Sequence, residues 1–515
     1  MMEKKVRVRF APSPTGPLHI GGVRTALYNY LFAKKQGGDF LLRVEDTDQT
    51  RYVKGAEDYI IEALNWCGIS PSEGIGIGGD FGPYRQSERK EQGIYKKYID
   101  QLIASGNAYY AFDTPDELEQ MRERLKAAGG ASQSYDMHSR TKMNNSLTLS
   151  TEEVQKKLDT GEPYVVRVKI LPNEEVKFKD LVRGYVVVDS TNLDDKVLYK
   201  SDGMPTYHLA NVVDDYLMKI THVIRGEEWL PSAPLHVLLY RFLGWEDVIP
   251  QFAHLPLILK PNGNGKLSKR DGDAGGFPVF PIEWKSPEGE LSTGYRESGY
   301  FPEAHINMLA FLGWNPGTEQ EIFSMDELVT AFSLERVGKS GAKFDPEKTK
   351  WFNEQYLRKK SNDELAKIIK PELEKKGIVY ENDEMLARIC GLMKERVSFP
   401  KEILEQGKYF FEAPQVYDVK TVKKKWKENS PNMVADLIAV FSNTAFNAYD
   451  LEEAFKTYIE EKELGFGPPM IAIRLAITGI GGGPSLFDIM EVIGKEESIE
   501  RLNSGIKNIK KETIA

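Results

Sequence analysis

The first fifty residues predict a strand, a tight turn, a helix and a second strand, in that order. Residues 6–10 form a short β-branched and aromatic run, which favours a strand. Three prolines within residues 11–17 exclude a helix or a central strand there, because proline lacks a backbone donor. Apolar residues recur at helical spacing over residues 23–31, and a second apolar run at 40–44 follows a pair of glycines. Such a βαβ unit predicts a parallel sheet.

The turn that begins this helix has the features of an anion-binding site. A helix that starts near Gly21 presents free N–H groups and the positive end of its dipole to a ligand in front of it. Gly21 and Gly22 let a ligand approach the backbone closely. His19 can donate a hydrogen bond to negative charge that develops on a phosphate. Taken alone, the sequence His-x-Gly-Gly also fits a structural turn with a half-buried histidine.

A second basic segment lies much further along the chain, at residues 266–270. Lys266, Lys269 and Arg270 follow the turn-forming sequence Pro-Asn-Gly-Asn-Gly at 261–265, which predicts a flexible basic loop. Lysine on a flexible stem suits a point-charge contact to the β- and γ-phosphates of a nucleotide. Taken alone, this segment also fits a solvated run of surface charge.

Length and composition exclude several function classes. The 515 residues are enough for about three or four domains, and no apolar stretch approaches the roughly 20 residues that a membrane span needs. Cys67 and Cys390 are too few for a disulfide framework or a four-cysteine zinc site. No apolar signal core follows the N-terminus, so we expect a cytoplasmic protein. The net charge of −9 argues against a general polyanion binder but leaves RNA open, because RNA binding depends on local basic surface.

A glycine-rich segment at 74–79 formally fits the G-x-G-x-x-G pattern of dinucleotide sites. It follows no clear strand and opens no helix, and the physical context of that motif requires both. We therefore predict a glycine-rich loop at this position and no nucleotide site.

Several longer stretches resemble the glutamyl-tRNA synthetases of the bacterial and organellar type. The opening reads Arg-Phe-Ala-Pro-Ser-Pro-Thr-Gly at 9–16 and His-Ile-Gly-Gly at 19–22. The class I signature His-Ile-Gly-His thus appears with Gly22 in its last position, which removes one imidazole. The segment 266–270 resembles the lysine-serine-lysine loop of the same family. The resemblance also includes 43–48, 200–215, 221–229, 335–345 and 474–488, but not 271–299, which is longer than the family's usual connection and has no predicted function.

The resemblance implies a class I catalytic site with two ligand pockets. Catalysis would rest on His19, Lys266 and Lys269. Mg²⁺ would accompany ATP, and we expect no zinc and no other protein-bound metal, since the region of the family's cysteine cluster has no cysteine here. The implied ATP contacts are His19, Gly21, Gly22, Glu228, Trp229, Leu257, Ile258, Lys266, Ser268 and Lys269. The implied glutamate contacts are Arg9, Ala11, Ser13, Glu45, Tyr207, Asn211 and Arg225.

The second set matches the chemistry of glutamate. Glutamate carries one ammonium and two carboxylates, so its pocket needs an acid and at least one arginine, whose fork pairs bidentately with a carboxylate. Glu45 is the acid of the set, and Arg9 and Arg225 are the arginines. These arginines would reject glutamine, because a neutral amide leaves buried positive charge uncompensated.

The fold class implied by the resemblance is α/β. We expect a Rossmann-type catalytic domain with a parallel sheet and an α/β insertion, followed by an all-α C-terminal anticodon-binding region. The expected boundaries are 1–110 and 200–260 for the two halves of the catalytic domain, 111–199 for the acceptor-end-binding insertion, 261–335 for a lysine-loop and stem-contact domain, and 336–390 and 391–515 for two helical anticodon-binding domains.

The activity implied by the resemblance is that of a glutamate–tRNA ligase. The carboxylate of L-glutamate would attack the α-phosphate of ATP, which gives glutamyl-adenylate and pyrophosphate. The 2′-OH of the 3′-terminal adenosine of tRNA(Glu) would then take the glutamyl group. The resemblance further implies that activation requires bound tRNA. We expect a monomer with no membrane partner.

Three alternatives remain at this point. A non-discriminating enzyme would also charge tRNA(Gln), which depends on how the helical region reads the third anticodon base. A shorter paralogue that glutamylates a modified tRNA base lacks the anticodon region, so the 515 residues and the long helical tail disfavour it. A catalytically inactive tRNA-binding relative would keep the fold, but the intact His19, Lys266 and Lys269 argue against it.

Overall fold

The computed structural model describes residues 5–129 and 133–509, and the chain divides into two compact units. The first unit comprises the residues up to 298 together with 302–348. The second comprises 299–301 and the residues from 349 onward.

The first unit contains both strands and helices. Its strands are β1 (Arg7–Phe10), β2 (Asp39–Leu42), β3 (Glu73–Gly74), β4 (Ala108–Ala111), β5 (Val165–Val168), β6 (Glu175–Asp180), β7 (Gly184–Asp189), β8 (Val197–Tyr199), β9 (His222–Gly226), β10 (Gln251–Leu255), β11 (Ile258–Leu259), β12 (Trp284–Lys285), β13 (Leu291–Ser292) and β14 (Ala342–Lys343). Its helices are α1 (Ile20–Lys35), α2 (Ala56–Trp66), α3 (Gln86–Glu91), α4 (Ile94–Ala104), α5 (Pro115–Ala127), α6 (Thr151–Asp159), α7 (Tyr207–Leu217), α8 (Ala233–Phe242), α9 (Lys269–Gly275), α10 (Pro302–Phe311) and α11 (Met325–Ala331).

The predicted βαβ unit at the start of the chain is confirmed. β1 pairs in parallel with β2, from Arg7 opposite Asp39 to Phe10 opposite Leu42, and α1 is the crossover between them. β1 is buried along its whole length, as a strand between two layers must be. α1 begins at Ile20, one residue before the predicted start, and its apolar face is buried.

Parallel strands form the centre of this unit. One sheet has the order β1-β2-β3 and a second has the order β7-β6-β10-β9. The β1–β2, β2–β3, β6–β10 and β9–β10 pairs are parallel, and β6–β7 is antiparallel. The N–H of Thr221 donates to the carbonyl of Arg7 over 2.9 Å, which joins the second sheet to β1. In an open sheet of this kind, ligands bind beyond the carboxyl ends of the strands.

Two arginines lie inside the buried strand β1, and each is paired. The Arg7 guanidinium reaches Asp39 over 2.8 Å and Glu73 over 2.9 Å. Arg9 reaches Asp215 over 2.9 Å. Burying a charge is costly unless it is paired, so these carboxylates hold the end of β1 in one arrangement.

The region 111–199 contributes to two different sheets. β4, β5 and β8 form an antiparallel sheet with Met121 of α5 buried against it. β6 instead pairs with β10, with Asp180 opposite Phe252, so the β6–β7 hairpin extends the parallel sheet. The local sequence pattern does not show this pairing, because the partner strand lies some seventy residues further along the chain.

The glycine-rich segment 74–79 differs from the prediction in one respect. A two-residue strand, Glu73–Gly74, pairs with β2 immediately before it, so the expectation that no strand precedes it is wrong. The next helix begins only at Gln86, so the strand–loop–helix context of a dinucleotide site is absent from this part of the described chain.

The second unit is helical throughout its described length, which confirms the predicted all-α C-terminal region. No helix in residues 5–129 and 133–509 combines the length and apolar character needed to cross a membrane. The helices are α12 (Pro346–Lys359), whose first turn belongs to the first unit, α13 (Asn362–Lys376), α14 (Asp383–Met393), α15 (Pro400–Gln406), α16 (Val419–Lys425), α17 (Ser430–Ser442), α18 (Ala448–Glu461), α19 (Gly467–Thr478), α20 (Leu486–Ile493) and α21 (Lys495–Asn508).

Candidate active site

A cavity of about 570 Å³ lies at the carboxyl ends of β1 and β9 in the first unit. It brings together residues from distant parts of the sequence, and most of the residues implied by the resemblance line it. These are Arg9, Ala11, Ser13, His19, Gly21, Gly22, Glu45, Tyr207, Asn211, Arg225, Glu228, Trp229, Leu257, Ile258 and Lys266. The cavity is also lined by residues that the sequence motifs do not identify, namely Thr15, Arg24, Thr25 and Arg51.

His19, which lines this cavity, caps the N-terminus of α1. Its Nδ1 accepts a hydrogen bond from the Gly21 N–H over 3.2 Å, so the ring proton lies on Nε2. Nε2 is buried and has no hydrogen-bond partner among the described residues. Burial and the nearby Lys266 lower the pKa of His19 to about 4, so the ring is neutral at pH 7. A neutral donor at the positive end of a helix dipole is suited to a phosphate.

Arg225 also lines this cavity. It is 5% exposed, and its Nη1 donates to the Tyr207 hydroxyl over 2.7 Å. Its Nη2 donates to the Trp229 carbonyl over 3.2 Å. Burial raises the pKa of Tyr207 to about 12, although the positive charge of Arg225 acts in the opposite direction. The guanidinium is therefore held at the cavity wall with Tyr207 in its neutral, hydrogen-bonding form.

Glu45 is held by Asn211, which belongs to the implied glutamate contacts, and by Arg43, which does not. Its Oε1 accepts from Nη2 of Arg43 over 2.8 Å and from Nδ2 of Asn211 over 3.0 Å. Arg43 is fully buried, and its Nη1 donates to Asp215 over 2.7 Å. Burial alone would raise the pKa of Asp215, but Arg9 and Arg43 together hold it below its usual value. Asp215 thus links the two charged residues, Arg9 and Glu45, that the resemblance places around the substrate.

The basic loop differs from its prediction. It is a loop only up to Ser268, because α9 begins at Lys269 and places Lys269 and Arg270 in a helical first turn. The backbone N and Oγ of Ser268 both donate to Oδ2 of Asp271, which fixes this helix start. Local capping therefore gives the second half of the segment a helical conformation in place of the predicted loop.

The structure separates the two lysines of this loop. Lys266 lines the main cavity, and its Nζ lies 2.6 Å from Oε1 of Glu228. Burial would raise the pKa of Glu228, but the hydrogen bond from Lys266 lowers it below the usual value. Ser268 and Lys269 do not line the main cavity, and Lys269 instead pairs with Glu290 over 2.8 Å.

A neighbouring cavity of about 400 Å³ explains where Lys269 lies. His19, Ser13 and Gly22 line this cavity as well as the first, and Lys269 lines this one alone. The segment 271–299 contributes Phe280, Trp284, Ser286 and Ser292 to the wall, and Ile60 and other residues of 12–18 complete it. The carbonyl of Val279 also accepts from the Ile20 N–H over 2.9 Å. The segment without a predicted function therefore packs against the start of α1.

Within the part of the chain that the structure describes, no group of three or more histidine, cysteine, aspartate or glutamate residues is arranged to hold a metal ion. Cys67 and Cys390 are both buried and free, and burial raises the pKa of the Cys390 thiol to about 12. Neither thiol is therefore a reactive nucleophile at neutral pH.

Comparison with known proteins agrees with this geometry. Residues 5–351 match the family of class I tRNA synthetases (E and Q), catalytic domain, and residues 364–506 match the anticodon binding domain family. A glutamate–tRNA ligase of Cytophaga hutchinsonii is 58% identical over 97% of this chain and 96% of its own length. One of Parabacteroides distasonis is 59% identical over 99% of this chain and 100% of its own length.

Solved structures give the same result. The crystal structure of a glutamate tRNA ligase from Elizabethkingia meningosepticum, in complex with its amino acid, has a TM-score of 0.95 and 52% sequence identity. The match covers 98% of this chain and 100% of that one. A glutamate-tRNA synthetase from Elizabethkingia anophelis has a TM-score of 0.93 at the same identity and coverage. These matches confirm the resemblance seen in the motifs, and the chain belongs to the glutamate–tRNA ligase family of class I tRNA synthetases.

Proposed function

We propose that this chain is a glutamate–tRNA ligase, which activates L-glutamate with ATP and transfers it to the 3′-terminal adenosine of tRNA(Glu). Membership of the class I family implies the use of ATP, and the relatives' names imply glutamate and tRNA as the other substrates. The observation that carries the proposal is a single cavity that is lined both by a neutral histidine at a helix N-terminus and by a buried arginine. Such a cavity can bind a nucleoside triphosphate and an acidic amino acid side by side.

The glutamate pocket in this proposal uses the charges around Arg225. Arg225 and Tyr207 bind the side-chain carboxylate, and Arg9 lies beside the second carboxylate of the substrate. Glu45 takes the ammonium, because only one of its oxygens is engaged in the two hydrogen bonds described above. Ala11, Ser13 and Asn211 complete the wall of the pocket.

The ATP pocket takes the nucleotide along the wall from Trp229 to His19. Glu228 and Trp229 lie beside the ribose and adenine, and the backbone at 257–258 contacts the base. His19 donates from Nε2 to the phosphates, with Gly21 and Gly22 allowing close approach. Lys266, Ser268 and Lys269 act on the triphosphate, which requires Lys269 to exchange Glu290 for a phosphate. ATP is taken as its Mg²⁺ complex, and no zinc is part of the proposal.

The reaction needs positioning and charge stabilisation and no covalent intermediate with the protein. The α-carboxylate of glutamate attacks the α-phosphorus of ATP, the bond to the bridging oxygen breaks, and pyrophosphate leaves. Aligned reactants remove much of the entropic barrier. The His19 N–H and the lysine ammonium groups stabilise charge that grows on the phosphates in the transition state.

Glutamate-dependent ATP–pyrophosphate exchange in the presence of tRNA tests the proposal directly. We expect exchange with glutamate, little with glutamine, and a requirement for tRNA. Charging assays with purified tRNA(Glu) and tRNA(Gln) then separate a discriminating enzyme from a non-discriminating one. A catalytically inactive tRNA-binding protein would show neither exchange nor charging.

We also propose that these residues have the roles described and that the domains meet at residues 110, 199, 260, 335 and 390. We further propose that the protein works as a monomer in the cytoplasm, where its proposed substrates are available. Sedimentation of the purified chain, alone and with tRNA, tests the first of these points.

A further inference from the structure

Arg225 is joined to a histidine on the neighbouring strand. Arg225 in β9 and His254 in β10 are register partners in a parallel pair, so their side chains leave the sheet side by side. The Nε of Arg225 lies 3.0 Å from Nε2 of His254. Arg225 is 5% exposed and His254 is fully buried, so water does not replace this contact.

The other nitrogen of His254 faces a carboxylate. Nδ1 of His254 lies 2.6 Å from Oδ2 of Asp180, and both side chains are fully buried. The second oxygen of Asp180 accepts the backbone N–H groups of Val182 and Arg183, over 2.9 and 2.8 Å. The carboxylate is therefore fixed by backbone donors on one oxygen and presents the other to His254.

These contacts leave one protonation pattern for the imidazole. The guanidinium of Arg225 is always charged and can only donate, so Nε2 of His254 must carry a lone pair. The ring proton therefore lies on Nδ1 and is donated to Asp180. Asp180 thus selects the tautomer of His254 that can accept from Arg225, because the hydrogen bond at one ring nitrogen determines whether the other carries a proton.

The guanidinium is consequently held at several points. Nε is bound by His254, Nη1 by the Tyr207 hydroxyl and Nη2 by the Trp229 carbonyl. These contacts use three of its five N–H groups and fix the plane of the group. His236 also faces Nη1, with Nδ1 at 3.5 Å. The N–H groups that remain for a ligand therefore point in a set direction.

We propose that Asp180 and His254 are positioning residues that aim Arg225 at the side-chain carboxylate of the substrate and thereby favour glutamate over glutamine. The inference rests on the proposed function, in which Arg225 meets that carboxylate. A donor group held in one orientation binds a carboxylate, which has two acceptor oxygens, more strongly than an amide, which has one. A guanidinium that is free to turn would adapt to either ligand and discriminate less.

Asp180→Asn tests most directly whether Asp180 determines the tautomer of His254. The backbone N–H groups of Val182 and Arg183 require an oxygen, so the amide oxygen of the introduced side chain takes the place of Oδ1. Its NH₂ group then faces Nδ1 of His254 and donates to it, which forces the ring proton onto Nε2. That proton opposes the N–H of Arg225, and a histidine in the wrong tautomer loses its function even where the geometry is kept.

The expected kinetic result is specific to the amino acid. For Asp180→Asn, kcat/KM for glutamate in tRNA-dependent pyrophosphate exchange falls about 10- to 100-fold, the usual range for losing a hydrogen bond to a charged group. The preference for glutamate over glutamine falls by about tenfold, and the KM for ATP changes by less than about twofold. The matched control is Asp195→Asn, another fully buried carboxylate, which pairs with Arg140 and accepts from Tyr109.

Two variants of His254 keep the test valid if Asp180→Asn does not fold. His254→Gln keeps a carbonyl oxygen that can accept from Arg225, and His254→Leu removes the acceptor. We expect His254→Gln to keep the preference for glutamate within about fivefold of the wild type and His254→Leu to lose it as Asp180→Asn does. Adding Asp180→Asn to His254→Leu should change the preference by less than about twofold, because the leucine side chain has no acceptor for Asp180 to orient.

The outcomes separate the inference from the function on which it rests. Equal losses for glutamate, glutamine and ATP, or the same losses in Asp195→Asn, would show that Asp180 only stabilises the fold and would overturn the inference. A His254→Gln enzyme as indiscriminate as His254→Leu would overturn it too. In both cases an active wild-type enzyme leaves the proposed function in place. A wild-type protein without glutamate-dependent exchange would overturn both.

Discussion

The Nζ of Lys269 lies 2.8 Å from Oε1 of Glu290, so the second lysine of the basic segment is paired with a carboxylate from the turn between β12 and β13. In the proposed reaction this lysine meets the triphosphate, and Glu290 therefore competes with ATP for it. The two side chains are 36% and 69% exposed, and exposed ion pairs are weak. The pair can hold Lys269 at rest and still release it to a phosphate.

Removing the competing charge should strengthen ATP binding. For Glu290→Gln we expect the KM for ATP to fall by about 1.4- to fivefold, since a measured exposed pair typically contributes about 0.2–1 kcal/mol. Steady-state exchange at varied ATP measures this. Glu288→Gln is the matched control, because Glu288 lies in the same turn and hydrogen-bonds there to Ser286. An unchanged or higher KM for ATP in Glu290→Gln would contradict the prediction.

Removing the lysine itself should affect the chemical step. We expect Lys269→Ala to slow adenylate formation in single turnover by about 10²–10³, the usual loss for one group that acts in the transition state. Glutamate binding should change little, because Lys269 does not line the main cavity. The control is Lys285→Ala, an exposed lysine in β12. If the activation rate of Lys269→Ala equals that of the wild type, the role assigned to Lys269 is wrong.

His19 should act on the rate and without titrating near neutral pH. We expect His19→Ala to lower kcat by about 10²–10³. Burial and Lys266 lower the pKa of His19 to about 4, so the ring stays neutral, with its proton on Nε2, throughout the range of pH 5–8. We therefore expect the pH profiles of kcat for the wild type and for His19→Asn to have the same shape near pH 6.5, which is about the ordinary histidine pKa. A loss confined to KM would instead make His19 a ground-state binder.

Arg225 should determine which amino acid is used. We expect Arg225→Leu to lower kcat/KM for glutamate by about 10²–10⁴, because breaking a buried charge pair costs roughly 3–5 kcal/mol. The loss for glutamine should be smaller, so discrimination shrinks, and the KM for ATP should change little. Arg140→Leu removes an arginine paired with Asp195 and is the control. Equal losses for both amino acids would show that Arg225 binds their common backbone or only supports the fold.

His305 should make the stability of the first unit depend on pH. It is fully buried, and neither ring nitrogen has a hydrogen-bond partner among the described residues, so burial lowers its pKa to about 3. Between this value and about 6.5, the unfolded chain binds the extra proton and the folded chain does not. Stability therefore rises with pH across this window and is lost on acidification, by roughly 1.4 kcal/mol per pH unit.

Thermal unfolding at pH 7 and pH 5 measures this effect. We expect the decrease in melting temperature between the two pH values to be smaller in His305→Phe than in the wild type. The control is His138→Gln, which removes a histidine from the surface. The prediction is wrong if His305→Phe and the wild type lose the same number of degrees on acidification.

Local patterns predicted the parts of the fold in which neighbouring residues determine the structure. The strand–turn–helix order of the first fifty residues was correct, because prolines, paired glycines and apolar spacing act within one or two turns of chain. Most residues that the motif resemblance implies, from Arg9 to Lys266, line one cavity. The start of α9 at Lys269 was missed, although the Ser268–Asp271 cap that causes it is visible in the sequence.

Other contacts that the sequence did not predict join segments that are far apart. Glu290 reaches Lys269 only because the β12–β13 hairpin folds back over the start of α1. Asp215 links Arg9 to Arg43 through the pairing of buried charges from three segments.

The sequence by itself determined the family, the local elements and the chemical groups of the site, because those depend on residue type and short-range spacing. The tertiary structure alone decided how the charged groups are paired and oriented. Asp180, His254 and Arg225 come from three strands, and nothing local relates them. Their contacts exist because β6, β10 and β9 are neighbours in one sheet. Burial removes the water that would otherwise bind these groups, so each charge must find its partner within the fold.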